Sequence, residues 1–227
     1  MNRLRNKRLI IGLGTGRCGT VTLQKILNQY NADVTHEHRQ MPWQFNRNAL
    51  LNNFNSLGKR FQPIVGDVGF WWINYVDAIR QYDVKFVCLK RDKDQTVDSF
   101  LGRFEYEDYW TENCFPREID GKPTLTEAFP QWQTKDKKEA VSRYYDLYYK
   151  IAVEHAKQDD FKIFHMNDVL NNGEVQQKML DWLDLPKHRV LTGHRYNPRE
   201  DVWKYENLLS EDHPVKYGIK RTENQVL

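Results

Sequence analysis

Residues 7–30 read Lys-Arg-Leu-Ile-Ile-Gly-Leu-Gly-Thr-Gly-Arg-Cys-Gly-Thr-Val-Thr-Leu-Gln-Lys-Ile-Leu-Asn-Gln-Tyr, and their pattern decides the fold. Leu9, Ile10 and Ile11 form a short uninterrupted apolar run, as a strand buried on both faces of a parallel sheet does. Gly12, Gly14, Gly16 and Gly19 follow within one turn, where the backbone must bend sharply or approach a ligand closely. From Thr20 onward the apolar positions Leu23, Ile26, Leu27 and Tyr30 recur at helical spacing. The stretch therefore predicts a strand, a glycine-rich turn and a helix. The amide groups of such a turn and the positive end of such a helix converge on one point, a ready anion site. Arg17 adds a planar fork of charged donors suited to phosphate or sulfate oxygens. The nucleotide P-loop pattern G-x-x-x-x-G-K-[ST] is not met: Gly14 to Thr20 supplies the glycines and the hydroxyl but no lysine, and the cation stands instead at the tip of the loop.

A second block runs from Val84 to Phe104. Phe86 to Leu89 reads as a strand, Arg91 stands at its carboxyl end, and Val97, Phe100, Leu101 and Phe104 form the apolar stripe of a following helix, with Ser99 off that stripe. An arginine fork beside a hydroxyl meets the needs of a phosphate monoester through charge-assisted hydrogen bonds, each worth about 1.5–3 kcal/mol. A bare surface pairing of Arg91 with Asp92 or Asp94 would contribute only about 0–1 kcal/mol.

Both blocks resemble those of sulfotransferases that use 3′-phosphoadenosine 5′-phosphosulfate (PAPS). Arg17, Cys18, Gly19 and Thr20 fill the places of the family's 5′-phosphosulfate loop, a basic residue, a small residue, Gly, then Thr or Ser, with Cys18 where serine is commoner. Strand, Arg91, turn and a helix carrying Ser99 has the form of its 3′-phosphate motif, about 70 residues further on. The resemblance implies a doubly wound parallel α/β sheet of the P-loop-like, three-layer α/β/α kind. It implies that Gly16, Arg17, Cys18, Gly19, Thr20, Val21 and Thr22 hold the 5′-phosphosulfate, that Arg91 and Ser99 hold the 3′-phosphate, and that 3′,5′-ADP is the product. No metal need take part. Lys220 and Arg221 would close over the 3′-phosphate, as the family's basic C-terminal segment does.

The resemblance also implies a carboxylate base about twenty residues beyond the loop cation, and Glu37 is twenty beyond Arg17. It would take the proton of an acceptor hydroxyl. His36 and His38 flank it and offer the same service near neutral pH. Pro63 to Asp67 reads as the second strand, short and ending in an acid, followed by Phe70-Trp71-Trp72. Ligands of open α/β sheets lie at strand ends, which makes Asp67, with Trp71 and His36, a candidate for acceptor binding.

The rest of the chain sets boundaries. At 227 residues with 40% apolar content it is expected to form one folded domain. Residues 31–63 are polar, interrupted by Pro42 and Pro63, and read as irregular. Residues 105–136, acid-rich and aromatic, read as an insertion over the crevice that shapes the acceptor pocket or, equally, as a long loop with its own small core, and 187–227 as an irregular C-terminal segment. Val141, Tyr144, Tyr145, Tyr148, Ile151 and Ala152 mark one long amphipathic helix, and Phe161 to His165 another strand. The net charge of +3 gives no reason to expect a nucleic-acid partner. No run approaches the roughly 20 apolar residues of a membrane span, and the basic start leads into no leader-like apolar stretch. Three scattered cysteines without metal spacing point to a reducing, cytoplasmic setting. The expected activity is sulfonyl transfer from PAPS to the hydroxyl of a small-molecule or carbohydrate acceptor. The rival readings are a P-loop nucleoside or sulfonucleotide kinase, which would need ATP and Mg²⁺, and a nucleotide-binding module without catalysis.

Overall fold

The computed structural model describes residues 4, 6–29, 31–105, 107–112, 125–185 and 189–193. Its centre is β1, Arg8–Leu13, whose last five residues are all buried. The glycine turn follows, then α1, Thr20–Leu27. Four more strands complete the sheet: β2, Ala32–His36; β3, Ile64–Val68; β4, Val84–Lys90; and β5, Phe161–His165. Their order is β2-β3-β1-β4-β5, and every neighbouring pair runs parallel. The chain is thus doubly wound outward from β1, and its strand tips share one edge, as the sequence predicts.

The remaining helices are α2, Arg47–Gly58; α3, Val76–Ile79, entered through a 3₁₀ turn over Phe70–Tyr75; α4, Lys93–Arg103; α5, Lys137–His155; α6, Met166–Asn171; and α7, Gly173–Trp182. The strand alternation divides the core. Leu9, Ile11, Leu13, Phe86 and Cys88 pack towards α2, α3, α4 and α5. Ile10, Val34, Val87 and Leu89 pack towards α1, α6 and α7. A strand covered on both faces cannot alternate apolar with polar, which is why β1 and β4 read as continuous apolar runs.

The segment expected to be irregular holds both β2 and α2. β2 is an edge strand that buries only Ala32 and Val34, so its sequence looks polar. In α2, Leu50, Phe54 and Leu57 lie on the core side. The same helix carries Asn48, Asn52, Asn53 and Asn55, poor helix formers whose cost tertiary packing offsets. The Asn46 side chain caps this helix by accepting from the Ala49 amide. One consequence is that the Asp67 strand is third in the chain and lies inside the sheet, between β2 and β1.

The aromatic segment contributes to the core where it is described. Tyr109 and Trp110 are buried with Phe100, Phe129 and Tyr144 in the main core, and the Trp110 and Phe129 rings lie 4.8 Å apart. These aromatic faces are spent on one another. Residues 113–124 and 194–227, including Lys220 and Arg221, lie outside the described residues.

Candidate active site

The turn after β1 closes by a run of left-handed residues: Gly16 at φ 82°, Arg17 at φ 55° and Gly19 at φ 86°. The glycines adopt this without penalty; Arg17 does so at a cost of about 1–2 kcal/mol. Glu37, which follows β2, shares the feature at φ 48°. Of the three non-glycine residues with positive φ among the described residues, two are therefore the candidate cation and the candidate base; the third, Asp184, is in a tight turn after α7. Strain of this kind gathers where the surrounding structure enforces a functional geometry.

An anion can enter the turn only if carbonyl oxygens face elsewhere. Three successive ones are held by side-chain donors. The Thr15 carbonyl accepts from the Tyr144 hydroxyl at 2.8 Å, and the Gly16 carbonyl from the Thr15 hydroxyl at 2.9 Å. The Arg17 carbonyl accepts from Arg91 Nη1 at 2.9 Å. α1 then starts at Thr20, and its first-turn amides have no carbonyl within the helix to bond.

The two cationic blocks meet here. Besides the Arg91 bond, Arg17 Nε donates to the Ser99 hydroxyl of α4 at 3.2 Å. Arg17, Arg91 and Ser99, read from two stretches about 70 residues apart, form one cluster at the tips of β1 and β4. Cys18 does not join it through its side chain. The thiol is fully buried beneath Gly14, and burial pushes its pKa up to about 11. A methyl group on Gly14 would stand 2.3 Å from that sulfur, which is why the turn needs glycine there.

Glu37, the residue after β2, lies close enough to this cluster to feel the Arg17 charge. Its side chain keeps 35% of its surface open, yet the protein around the carboxyl excludes enough water to push its pKa up to about 7. The Asp67 charge adds to the rise and the Arg17 guanidinium works against it. A carboxylate so placed is part-ionised at neutral pH and strong enough as a base to take a hydroxyl proton.

The flanking histidines are placed differently. His36 Nε2 shares a hydrogen bond with the Thr20 hydroxyl at 3.0 Å, and burial lowers its pKa to about 4, so it is neutral and engaged. His38 Nε2 shares one with the Ser56 hydroxyl of α2 at 2.7 Å, and its pKa is also lowered, by partial burial and by Arg60 and Arg39. Asp67 is fully buried. It accepts from the Thr35 hydroxyl at 2.7 Å, the Trp72 indole at 2.9 Å and the His38 amide at 3.2 Å. Its carboxylate thus ties down the peptide next to Glu37. Desolvation pushes its own pKa up to about 6. Trp71 is 2% exposed and packs on Phe70, and its buried indole N–H meets no acceptor among the described residues.

The tyrosines of α5, legible in the sequence only as a core stripe, reach main chain around both cationic blocks. Tyr148 accepts the Gly14 amide at 2.9 Å beside the Tyr144 bond already described. Tyr149 donates to the Leu89 carbonyl at 2.8 Å and Tyr145 to the Arg91 carbonyl at 2.5 Å. The available signal was the doubled pair Tyr144-Tyr145 and Tyr148-Tyr149, which sets hydroxyls on two adjacent helix faces.

No protein-family profile matches the chain, and no curated sequence does. Solved structures do. A sulfotransferase from Alicyclobacillus acidocaldarius superposes with a TM-score of 0.50 at 15% identity, over 89% of this chain and 92% of that one. A mouse sulfotransferase complexed with PAP gives 0.50 at 12% identity, over 88% of this chain and 63% of that one. The sulfotransferase domain of the curacin biosynthetic pathway gives 0.50 at 10% identity, over 79% and 75%. The chain has a sulfotransferase-like α/β fold.

Proposed function

We propose that the protein is a PAPS-dependent sulfotransferase acting on the hydroxyl of a small-molecule or carbohydrate acceptor. The observation that carries this is the contact of Arg91 with the Arg17 carbonyl, together with that of Arg17 with Ser99. Two cationic pockets at neighbouring strand tips suit one ligand bearing an anion at each end. That a mouse protein with this fold was solved with PAP supports the same choice.

In this reading the amides from Gly16 to Val21, with Thr20 and Thr22, hold the 5′-phosphosulfate, and Arg91 and Ser99 hold the 3′-phosphate. Glu37 removes the acceptor's proton as that oxygen bonds to sulfur. Arg17 stabilises the charge that grows on the bridging oxygen as its bond to sulfur breaks and 3′,5′-ADP departs, a contribution whose loss typically costs about 10²–10³ in rate. Asp67 and His36 position Glu37 and Thr20 and do not take the proton themselves. No metal has a part in these steps. The buried free thiols of Cys18 and Cys88 favour a cytoplasmic setting, and the whole chain is read as one domain.

Calorimetry with 3′,5′-ADP and with ATP–Mg²⁺ tests the reading. Tight metal-free binding of 3′,5′-ADP that Arg17→Ala and Arg91→Ala both weaken is the expected result. Preference for ATP–Mg²⁺ would make the protein a kinase. Tight 3′,5′-ADP binding without PAPS turnover on any hydroxyl acceptor would make it a binding module.

A further inference from the structure

α5 is a 19-residue helix whose four tyrosine hydroxyls all end on main chain at the strand tips. Tyr144 and Tyr148, one turn apart, take the Thr15 carbonyl and the Gly14 amide, both in the first anion turn. Tyr145 and Tyr149, one residue further round, take the Arg91 and Leu89 carbonyls, which flank the second cation. The rings brace one another: centroids of Tyr144 and Tyr148 lie 5.9 Å apart, of Tyr145 and Tyr149 4.6 Å, and of Tyr148 and Tyr149 5.4 Å. Burial raises the pKa of all four, so the phenols stay protonated. The bond from Arg91 to the Arg17 carbonyl closes the circuit between the two loops from the other side.

Nothing in a helix core calls for phenols here. Phenylalanine would pack as well, and each buried hydroxyl brings a desolvation cost that only a partner offsets. What the hydroxyls add is a fixed distance between two loops that belong to different strands. We infer that the α5 tyrosines are positioning residues that set the spacing of the two anion pockets, so that a ligand with phosphates on both its 5′ and 3′ oxygens fills both at once. This rests on the reading of the site as one for 3′,5′-ADP and PAPS. The physical gain is effective concentration: once one phosphate is bound, the other meets its pocket as an intramolecular event, provided the pockets keep their separation. Loops free to move independently would each still bind a single phosphate, but the joint gain would shrink.

The test compares 3′,5′-ADP, 5′-AMP and 3′-AMP by calorimetry on the wild type and on Tyr145→Phe, Tyr148→Phe and Tyr109→Phe. Each of the first two removes one hydroxyl from a different pair, so either variant carries the test if the other fails to fold. Tyr109 serves as the control, since its hydroxyl donates to Glu107 beside the aromatic cluster rather than to either loop. The wild type should bind 3′,5′-ADP at least about a hundredfold more tightly than either monophosphate. Tyr145→Phe and Tyr148→Phe should each lose about tenfold for 3′,5′-ADP and less than about threefold for the monophosphates, the loss of one hydrogen bond's worth of alignment. Tyr109→Phe should change none of them. Equal losses for all three ligands would mean that each tyrosine merely supports its own loop, and unchanged binding would make the hydroxyls ordinary core groups; either result overturns the inference. A wild type that binds 3′,5′-ADP no better than 5′-AMP overturns the donor reading and this inference with it.

Discussion

Arg91 donates through Nη1 to the main-chain carbonyl of Arg17 at 2.9 Å, so the cation of the second block is a structural support of the first. The two anion pockets are therefore not independent, and substitutions in one are expected to be felt in the other.

Arg91→Ala should show this directly. Affinity for 3′,5′-ADP should fall by about tenfold to a hundredfold through loss of charge-assisted bonds. Affinity for 5′-AMP, which has no 3′-phosphate, should fall too, by roughly threefold to tenfold, because the Arg17 carbonyl is released. Titration calorimetry with both ligands measures the pair; an unchanged 5′-AMP affinity would disconnect the pockets.

The pH dependence of turnover should report Glu37. Its pKa of about 7 means that the active, ionised form appears as pH rises through neutrality. kcat/KM should climb through about pH 7 and level above it, whereas Glu37→Gln should be lower by about 10²–10⁴ and lack that limb. Asp67→Asn removes a charge that raises the Glu37 pKa, so the limb should move to lower pH.

Stability should carry the same signature with a definite sign. Glu37 titrates near 7 in the folded protein against an ordinary 4.5, so the folded state holds that proton more tightly than the unfolded one. Raising the pH across that window then costs the wild type stability that Glu37→Gln does not lose. The Tm of the variant relative to wild type should increase from pH 5 to pH 7 and then stay level, as thermal denaturation at a series of pH values would show. A constant difference would mean the carboxyl is not perturbed.

The cysteines of the site should be inert in the native state. Cys18 and Cys88 are fully buried, and burial raises both thiol pKa values, that of Cys18 to about 11. In a Cys114→Ser background, iodoacetamide at pH 8 should modify neither until denaturant is added. Mass spectrometry of the native, ligand-free protein gives the answer. Rapid labelling of Cys18 would mean that its thiol faces outward from the loop.

Some elements were legible because their signals are local. The apolar run of Leu9 to Ile11, the glycines after it and the helical spacing of Leu23, Ile26 and Leu27 each express one element's own requirement, and all three are present as read. β2 and α2 were not legible, because an edge strand with two buried residues and an asparagine-rich helix carry little intrinsic preference. They exist because β3 needs a neighbour and the sheet needs a cover on that flank. Tyr109 and Trp110 were legible as aromatic, and only packing against Phe100 and Phe129 shows which way they face.

By itself, then, the sequence determined a parallel, doubly wound α/β fold, two basic blocks in a given order and a short row of candidate bases. These follow from periodicity, backbone permissiveness and charge, properties that each segment carries alone. The tertiary structure decided that Arg17, Arg91 and Ser99 adjoin, that burial raises the Glu37 pKa while it lowers those of both neighbouring histidines, that Asp67 is buried and holds the His38 amide, and that α5 bonds to both turns. Those outcomes depend on which strand tips lie side by side and on how much water burial removes from each group, and neither quantity is a property of any stretch of chain taken on its own.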